Sequence, residues 1–311
     1  MKCIICGSEK IQSIDTIISE FVYERITSDR NVEDARKKTK LCFCEDCTFA
    51  FYEYRLSERE ADLLYRNYRD EEYQKTREKY EFWYTKKIND TLNHSNIQER
   101  QKTIWDIVSC STTDEMDSAL DFGGNNGEML SPEGRYIKAR NRYVYDISGV
   151  DPVNGVHQIN TFSELYNYHF DFIMCNSVFE HLAEPVDVIK KMWSIGDADT
   201  LYFLEVPSEN PFIRGNKFSI IKNASLLFNP RYSWIRLAKY YFKQRKQPLM
   251  PMKEHINFFT IKSVKTMLES NGYYVIKLQE IEIKSPLGKA SSIVALFKKA
   301  SDTIDYNMIT S

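Results

Sequence analysis

Two apolar rhythms alternate along the central and C-terminal parts of this chain. Short apolar runs bounded by turn residues read as strands at Ala119 to Asp121, Asn141 to Ile147, Val156 to Ile159, Phe170 to Asn176, Thr200 to Pro207, Tyr273 to Leu278 and Ser292 to Phe297. The run Phe170-Asp-Phe-Ile-Met-Cys-Asn176 is almost wholly apolar, as suits a strand buried on both faces. Helical spacing covers the stretch after Ser57, where Ser57 and Glu60 form a capping-box pattern ahead of Leu63, Leu64, Tyr65, Tyr68, Tyr73, Tyr80 and Trp83. It returns at Ile97 to Val108 and at Ser263 to Asn271, which stops at Gly272. Pro185 marks one further helix start. Strands interleaved with helices predict an α/β fold.

The first 56 residues lack this rhythm and are punctuated by cysteine instead. Cys3-Ile-Ile-Cys6 and Cys44-Glu-Asp-Cys47 are two C-x-x-C pairs, each able to set two thiolates on one side of a tight turn. Together they predict a closed, tetrahedral four-cysteine zinc site with a structural rather than chemical role. No βαβ pattern surrounds either pair, which disfavours a redox reading. Cys42 lies between them in strand-like sequence as a bystander, and Cys110 stands apart.

Composition adds bounds. At 311 residues the chain is long enough for two domains and a sizeable core, with 28% charged residues and a formal net charge of −2. No apolar run reaches the length that spans a bilayer, and the N-terminus lacks the apolar core of a signal peptide. The expected location is the cytoplasm, where cysteines serve as thiols and metal ligands. The expected organisation is a zinc-binding module at 1–56, a helical connector at 57–115 and an α/β domain at 116–311.

Candidate chemistry centres on Asp121-Phe-Gly123-Gly124-Asn125-Asn126-Gly127, which reads as strand, tight turn and helix. Glycine suits a sharp turn where a ligand approaches the backbone closely. The spacing departs from G-x-G-x-x-G, so a dinucleotide is disfavoured. It resembles motif I of the class I S-adenosylmethionine (SAM) methyltransferases, Asp/Glu-x-Gly-x-x-x-Gly, with Asn125 in place of the middle glycine of the commonest form. The variant is similar to the Gly-Ser-Asn-Asp-Gly loop of sugar methyltransferases that carry an N-terminal zinc-binding module.

That resemblance implies a Rossmann-like sheet closed by a late hairpin, and a cofactor site built from Asp121, Gly123, Gly124, Asn125 and Gly127. Asp146 ends the next strand, 25 positions after Asp121, and is the candidate ribose acid, with Asp151 as its competitor in a turn before Pro152. Asn160 and Thr161 fall where adenine is commonly read, and Asn176 where the methionine end lies. The aromatics after Ser57 read first as a helical connector that buries an aromatic stripe against its neighbours; the resemblance offers a second reading, with Tyr73 and Arg77 in a lid over the cofactor. Glu180-His181 resembles the segment after motif IV, with His181 either facing substrate or anchoring its loop. Lys253-Glu254-His255 resembles the Glu-His segment of the zinc-module sugar C-methyltransferases, but Met252-Lys253 replaces their Tyr-His. His255 is the candidate base, Glu254 its orienting partner and His181 the reserve.

Between Pro211 and Lys253 stand ten Lys/Arg and no Asp or Glu, leaving −12 for the remainder of a chain whose total is −2. Aromatics including Tyr232, Trp234 and Tyr240 are interleaved with these cations. Such asymmetry suggests an anionic partner: a phosphate-bearing substrate under a lid, a membrane surface met peripherally, or RNA. Position after the fifth strand favours the substrate lid. The function expected is SAM-dependent O-methylation of a sugar or nucleotide-linked sugar in surface-glycan synthesis. The alternatives are C-methylation and a nucleic-acid-binding zinc protein; the absence of any RNA-reading motif makes nucleic acid the less favoured partner.

Overall fold

The computed structural model describes residues 1–28, 38–81, 83–93, 97–111, 116–134, 136–212, 250–285 and 288–300. The N-terminal region supplies β1 (Ile11–Ile17), α1 (Glu20–Ile26), β2 (Lys38–Cys44) and β3 (Ala50–Tyr52). The connector follows as α2 (Glu58–Tyr65), α3 (Glu71–Tyr80), α4 (Lys86–Asn93) and α5 (Ile97–Val108). In α2 the capping box forms: the Ser57 side chain accepts from the Glu60 amide, and the Glu60 carboxylate accepts from the Ser57 amide. The α/β part then runs β4 (Met116–Phe122), β5 (Ala139–Tyr145), β6 (His157–Ile159), β7 (Phe172–Asn176), α6 (Pro185–Ile195), β8 (Leu201–Pro207), β9 (Asn257–Phe258), α7 (Ile261–Ser270), β10 (Tyr273–Ser285) and β11 (Gly288–Lys299).

Seven strands form one sheet in the order β10-β11-β8-β7-β4-β5-β6. Strands β4 to β8 run parallel to one another, while β11 runs antiparallel to both β8 and β10. This is the Rossmann-like sheet of class I methyltransferases, closed by the late hairpin. Phe172, Ile173, Met174 and Cys175 of β7 are all fully buried, as a strand covered on both faces must be.

The motif I helix departs from expectation. After Gly127 the chain makes only a single 3-10 turn, Glu128–Leu130, then a second at Pro132–Gly134. Pro132 disfavours helical backbone at Ser131, so the helix ends after one turn.

A second sheet has the order β1-β2-β3-β9. Its last strand comes from residues 257–258, far along the chain, so the cysteine-bearing region and the segment bearing His255 share one hydrogen-bonded sheet. Arg55 reinforces this seam, donating to the carbonyls of Leu182 (2.6 Å) and Ala183 (2.7 and 2.9 Å) and to Oδ1 of Asn257 (2.8 Å). The basic insert lies outside the described residues from 213 to 249. At its end, Lys253 pairs with Glu81 at 2.7 Å.

Candidate active site

Four adjacent parallel strands end on one edge of the large sheet, and each delivers one of the polar residues singled out in the sequence. Asp121 lies at the end of β4, with Asp146 after β5, Asn160 after β6 and Asn176 at the end of β7. The turn after β4 is tight. Gly123 has φ +75°, and a Cβ there would meet Val178 at 2.8 Å; a Cβ on Gly124 would lie 2.1 Å from the Asp121 carboxyl carbon. Asn125 adopts φ +55°, a left-handed conformation that asparagine tolerates better than most residues, which explains how it replaces a glycine.

Asp146 is half-buried, and its carboxylate accepts the amides of Asn125 (2.8 Å) and Ser148 (2.7 Å), locking it against the glycine turn. Asp151 is exposed in the following turn. Asp121 is fully buried, and neither carboxylate oxygen has a hydrogen-bond partner among the described residues. Burial, with the Asp146 charge adding to it, raises its pKa to about 7. Both amide atoms of Asn176 and Nε of Arg100, on α5, are likewise buried without partners. Unpaired buried polar groups are costly, and two of these, Asp121 and Asn176, stand at the ends of the adjacent strands β4 and β7.

The opposite side of that edge is built from three separated segments. His181 follows β7, Glu209 follows β8, and His255 precedes β9. His181 and His255 meet edge to face with ring centroids 4.9 Å apart. His181 Nδ1 lies 3.1 Å from the Glu254 carbonyl and 3.0 Å from the Tyr65 hydroxyl. A carbonyl only accepts, so Nδ1 carries the hydrogen and Nε2 the lone pair. Burial, reinforced by the neighbouring His255, lowers the His181 pKa to about 3 and keeps the ring neutral. His255 is about one-third exposed and places Nδ1 3.0 Å from the Glu209 carboxylate. Burial opposes charge on His255, but the Glu209 carboxylate, with Glu180 and Glu254 beyond it, outweighs this and raises its pKa.

Two expectations are corrected here. Glu254 does not orient His255: its buried carboxylate accepts from the Tyr73 hydroxyl and pairs with Arg77 at 2.6 Å. The chain bends at Glu254, whose side chain is buried, while the His255 side chain stays about one-third exposed. Tyr73, which is fully buried, and Arg77 hold the Glu254 loop, in keeping with the buried aromatic stripe and not with the alternative of a lid. Glu209 takes the orienting role. No local spacing announces it, because it lies 46 positions from His255. Sequence reasoning also missed Glu180 and Arg55 as site residues, although Glu180 directly precedes His181.

At the N-terminus the sulfurs of Cys3, Cys6, Cys44 and Cys47 lie within 4.8 Å of one another, with Cys3–Cys47 at 3.5 Å and Cys6–Cys44 at 3.6 Å. Cys42 is buried beside Met1 and outside this group, and Cys110 is exposed. The second knuckle continues directly into the active-site side: Thr48 Oγ1 lies 2.7 Å from Thr260 Oγ1, and its carbonyl accepts from Asn210 at 2.9 Å.

A strand order of this kind, with its ligand crevice at the carboxyl edge of the parallel strands, defines the class I methyltransferase architecture. Residues 66–278 match the model of the methyltransferase domain family, so the chain belongs to that family and is a SAM-dependent methyltransferase. A search of curated proteins found no match. Among solved structures, the chain is similar to the 1,6-didemethyltoxoflavin-N1-methyltransferase of Burkholderia thailandensis, bound to its substrate and S-adenosylhomocysteine. The identity is 11%, over 87% of this chain and 99% of that one, with a TM-score of 0.47. It is also similar to magnesium protoporphyrin IX methyltransferase from Synechocystis PCC 6803 (12% identity, 65% and 83% covered, TM-score 0.40). A third is a SAM-dependent methyltransferase from Methanosarcina mazei (14% identity, 62% and 97% covered, TM-score 0.41). No helix among the described residues is long and apolar enough to cross a membrane.

Proposed function

We propose that the chain methylates a hydroxyl of a sugar or nucleotide-linked sugar, with His255 as the group that accepts the hydroxyl proton. The observation that carries this reading is the Glu209–His255 pair. A carboxylate on Nδ1 fixes the ring and its tautomer, which leaves Nε2 as the basic nitrogen at the crevice edge. A hydroxyl acceptor must lose its proton as the methyl arrives, and a positioned imidazole suits that step. The sugar assignment rests on the resemblance of the glycine loop and cysteine pairs to sugar methyltransferases.

The unpaired polar groups of the crevice fit SAM. Its ammonium suits the Asp121 carboxylate and the Asn176 amide oxygen, while Asp146 retains lone pairs for the ribose hydroxyls. Asn160, just after β6, would contact the adenine. Gly123, Gly124, Asn125 and Gly127 keep the turn close to the ligand. When bound, SAM supplies a sulfonium methyl open to in-line displacement, so orientation by these residues contributes much of the rate. His181 braces the Glu254 carbonyl and, through it, the His255 loop. The four thiols would hold a structural zinc, closed to chemistry. The ten cations of 211–253 suit an anionic acceptor such as a nucleotide sugar.

Conversion of SAM to S-adenosylhomocysteine against a panel of nucleotide sugars tests the substrate class. His255→Gln should lower turnover roughly a hundredfold with SAM affinity retained, whereas Asp146→Ala should lose SAM affinity measured by calorimetry. No stimulation by any nucleotide sugar, or near-normal turnover in His255→Gln, overturns the corresponding part.

A further inference from the structure

Glu180, His181 and His255 do more than frame an acceptor. One donor atom from each lies within 4.8 Å of the other two. Glu180 is buried, and its Oε2 has no hydrogen-bond partner among the described residues. Its Oε1 stands 3.9 Å from Nε2 of His181, too far for a hydrogen bond, so the two do not satisfy each other. Each imidazole has its Nδ1 engaged: His181 by the Glu254 carbonyl, His255 by the Glu209 carboxylate. Nε2 therefore remains on both rings. A ring held through one nitrogen by a carbonyl or carboxylate, with the other left as ligand, is the arrangement that orients metal-bound histidines.

The frame is also rigid. The Glu180 carbonyl accepts the amides of Ile256 (2.8 Å) and Asn257 (3.0 Å), and the Asn257 side chain donates to the carbonyls of Phe179 and Leu182, both at 2.7 Å. The two segments bearing the three residues are thus tied backbone to backbone.

We propose that Glu180, His181 and His255 form a second metal site, separate from the thiolate cluster, for a divalent ion that favours imidazole and carboxylate, such as zinc, cobalt or nickel. Donor chemistry separates the two sites, one all-sulfur and the other two nitrogens with one oxygen. Three protein ligands leave a coordination position open. An ion bound there occupies Nε2 of His255, so it blocks proton acceptance and inhibits methyl transfer. This last consequence rests on the assignment of His255 as base; the site itself does not.

The test titrates cobalt(II) into protein whose thiolate cluster is already filled with zinc. One further cobalt per chain is expected, with weak visible bands and without the intense near-ultraviolet absorption of a cobalt–thiolate bond. Glu180→Gln and His255→Asn should abolish this binding, and Glu209→Gln should weaken it about 10- to 100-fold, as loss of an outer partner does. Should Glu180→Gln fail to fold, His255→Asn, on a more exposed ring, keeps the test in hand. No second equivalent, cobalt bound only with thiolate absorption, or binding untouched by these substitutions overturns the proposal. Cobalt binding with undiminished turnover would leave the site standing and overturn the base assignment instead.

Discussion

Arg55→Ala probes how the cysteine-bearing sheet holds the active site together. The guanidinium makes four contacts at 2.9 Å or shorter, to Leu182, Ala183 (twice) and the Asn257 side chain, and two longer ones to the carbonyls of Tyr52 and Ile256. Hydrogen bonds from a charged donor contribute about 1.5–3 kcal/mol each before the cost of burying the charge is subtracted. The Leu182 carbonyl keeps a second donor in the Asn257 amide, while Oδ1 of Asn257 and the Ala183 carbonyl lose their short contacts. With the residue only half-buried, water recovers part of the loss, and the expected destabilisation is about 3 kcal/mol. For a chain of this size that corresponds to a fall in melting temperature of roughly 5 °C. Arg55→Lys should recover less than half, because an ammonium lacks the planar fork that reaches several carbonyls at once. Thermal and urea unfolding measure both variants. A change below about 0.5 kcal/mol, the range of ordinary surface substitutions, would refute the view that this side chain clamps the Glu180–His181 loop to the second sheet.

Gly124→Ala should abolish SAM binding by calorimetry and lower stability, since its Cβ would fall 2.1 Å from the Asp121 carboxyl carbon; normal affinity would mean that the turn relaxes freely. Cys44→Ser should remove about one zinc per chain by metal analysis, and it should lower turnover as well, because Thr48 at the same knuckle contacts Thr260 and Asn210. Retained zinc would show that the four thiols are not its ligands. His169 has a raised pKa, chiefly from its hydrogen bond to Asp197, with Asp171 adding on the other ring nitrogen. Its stabilising contribution is therefore fully present below the ordinary histidine pKa of about 6.5 and lost as pH rises through the higher folded value. His169→Gln should flatten that part of the stability profile, and an unchanged profile would contradict the assignment.

The coupling between sheets gives the N-terminal region a reason to exist beyond its own stability. The segment that carries Glu254 and His255 ends in β9, which pairs with β3. Phe49 packs on Phe259 with centroids 4.9 Å apart. Order at the cysteine knuckles is thereby transmitted to the acceptor side of the crevice over a short, bonded path.

Local periodicity was enough to position the strands of the large sheet, because a strand buried on both faces must be apolar throughout and its ends must turn. The bounds of α5 and the capping box at Ser57 were legible for the same reason: cap and helix face are fixed by residues three or four apart. The glycine turn and the paired cysteines were also readable, as each depends on spacing within a few residues. Even the shortened helix after Gly127 was written locally, in Pro132. What the tertiary structure decided was every contact between distant segments. Glu209 orients His255 across 46 positions, the Glu254 carbonyl holds His181 across 73, and residues 257–258 complete the N-terminal sheet. Sequence spacing records which side chains share a face of one element. It carries no record of which loops converge, since that follows from strand order and from the packing of whole elements. The acid next to His255 in the chain therefore turns inward to Arg77, and the acid next to it in space comes from the far side of the crevice.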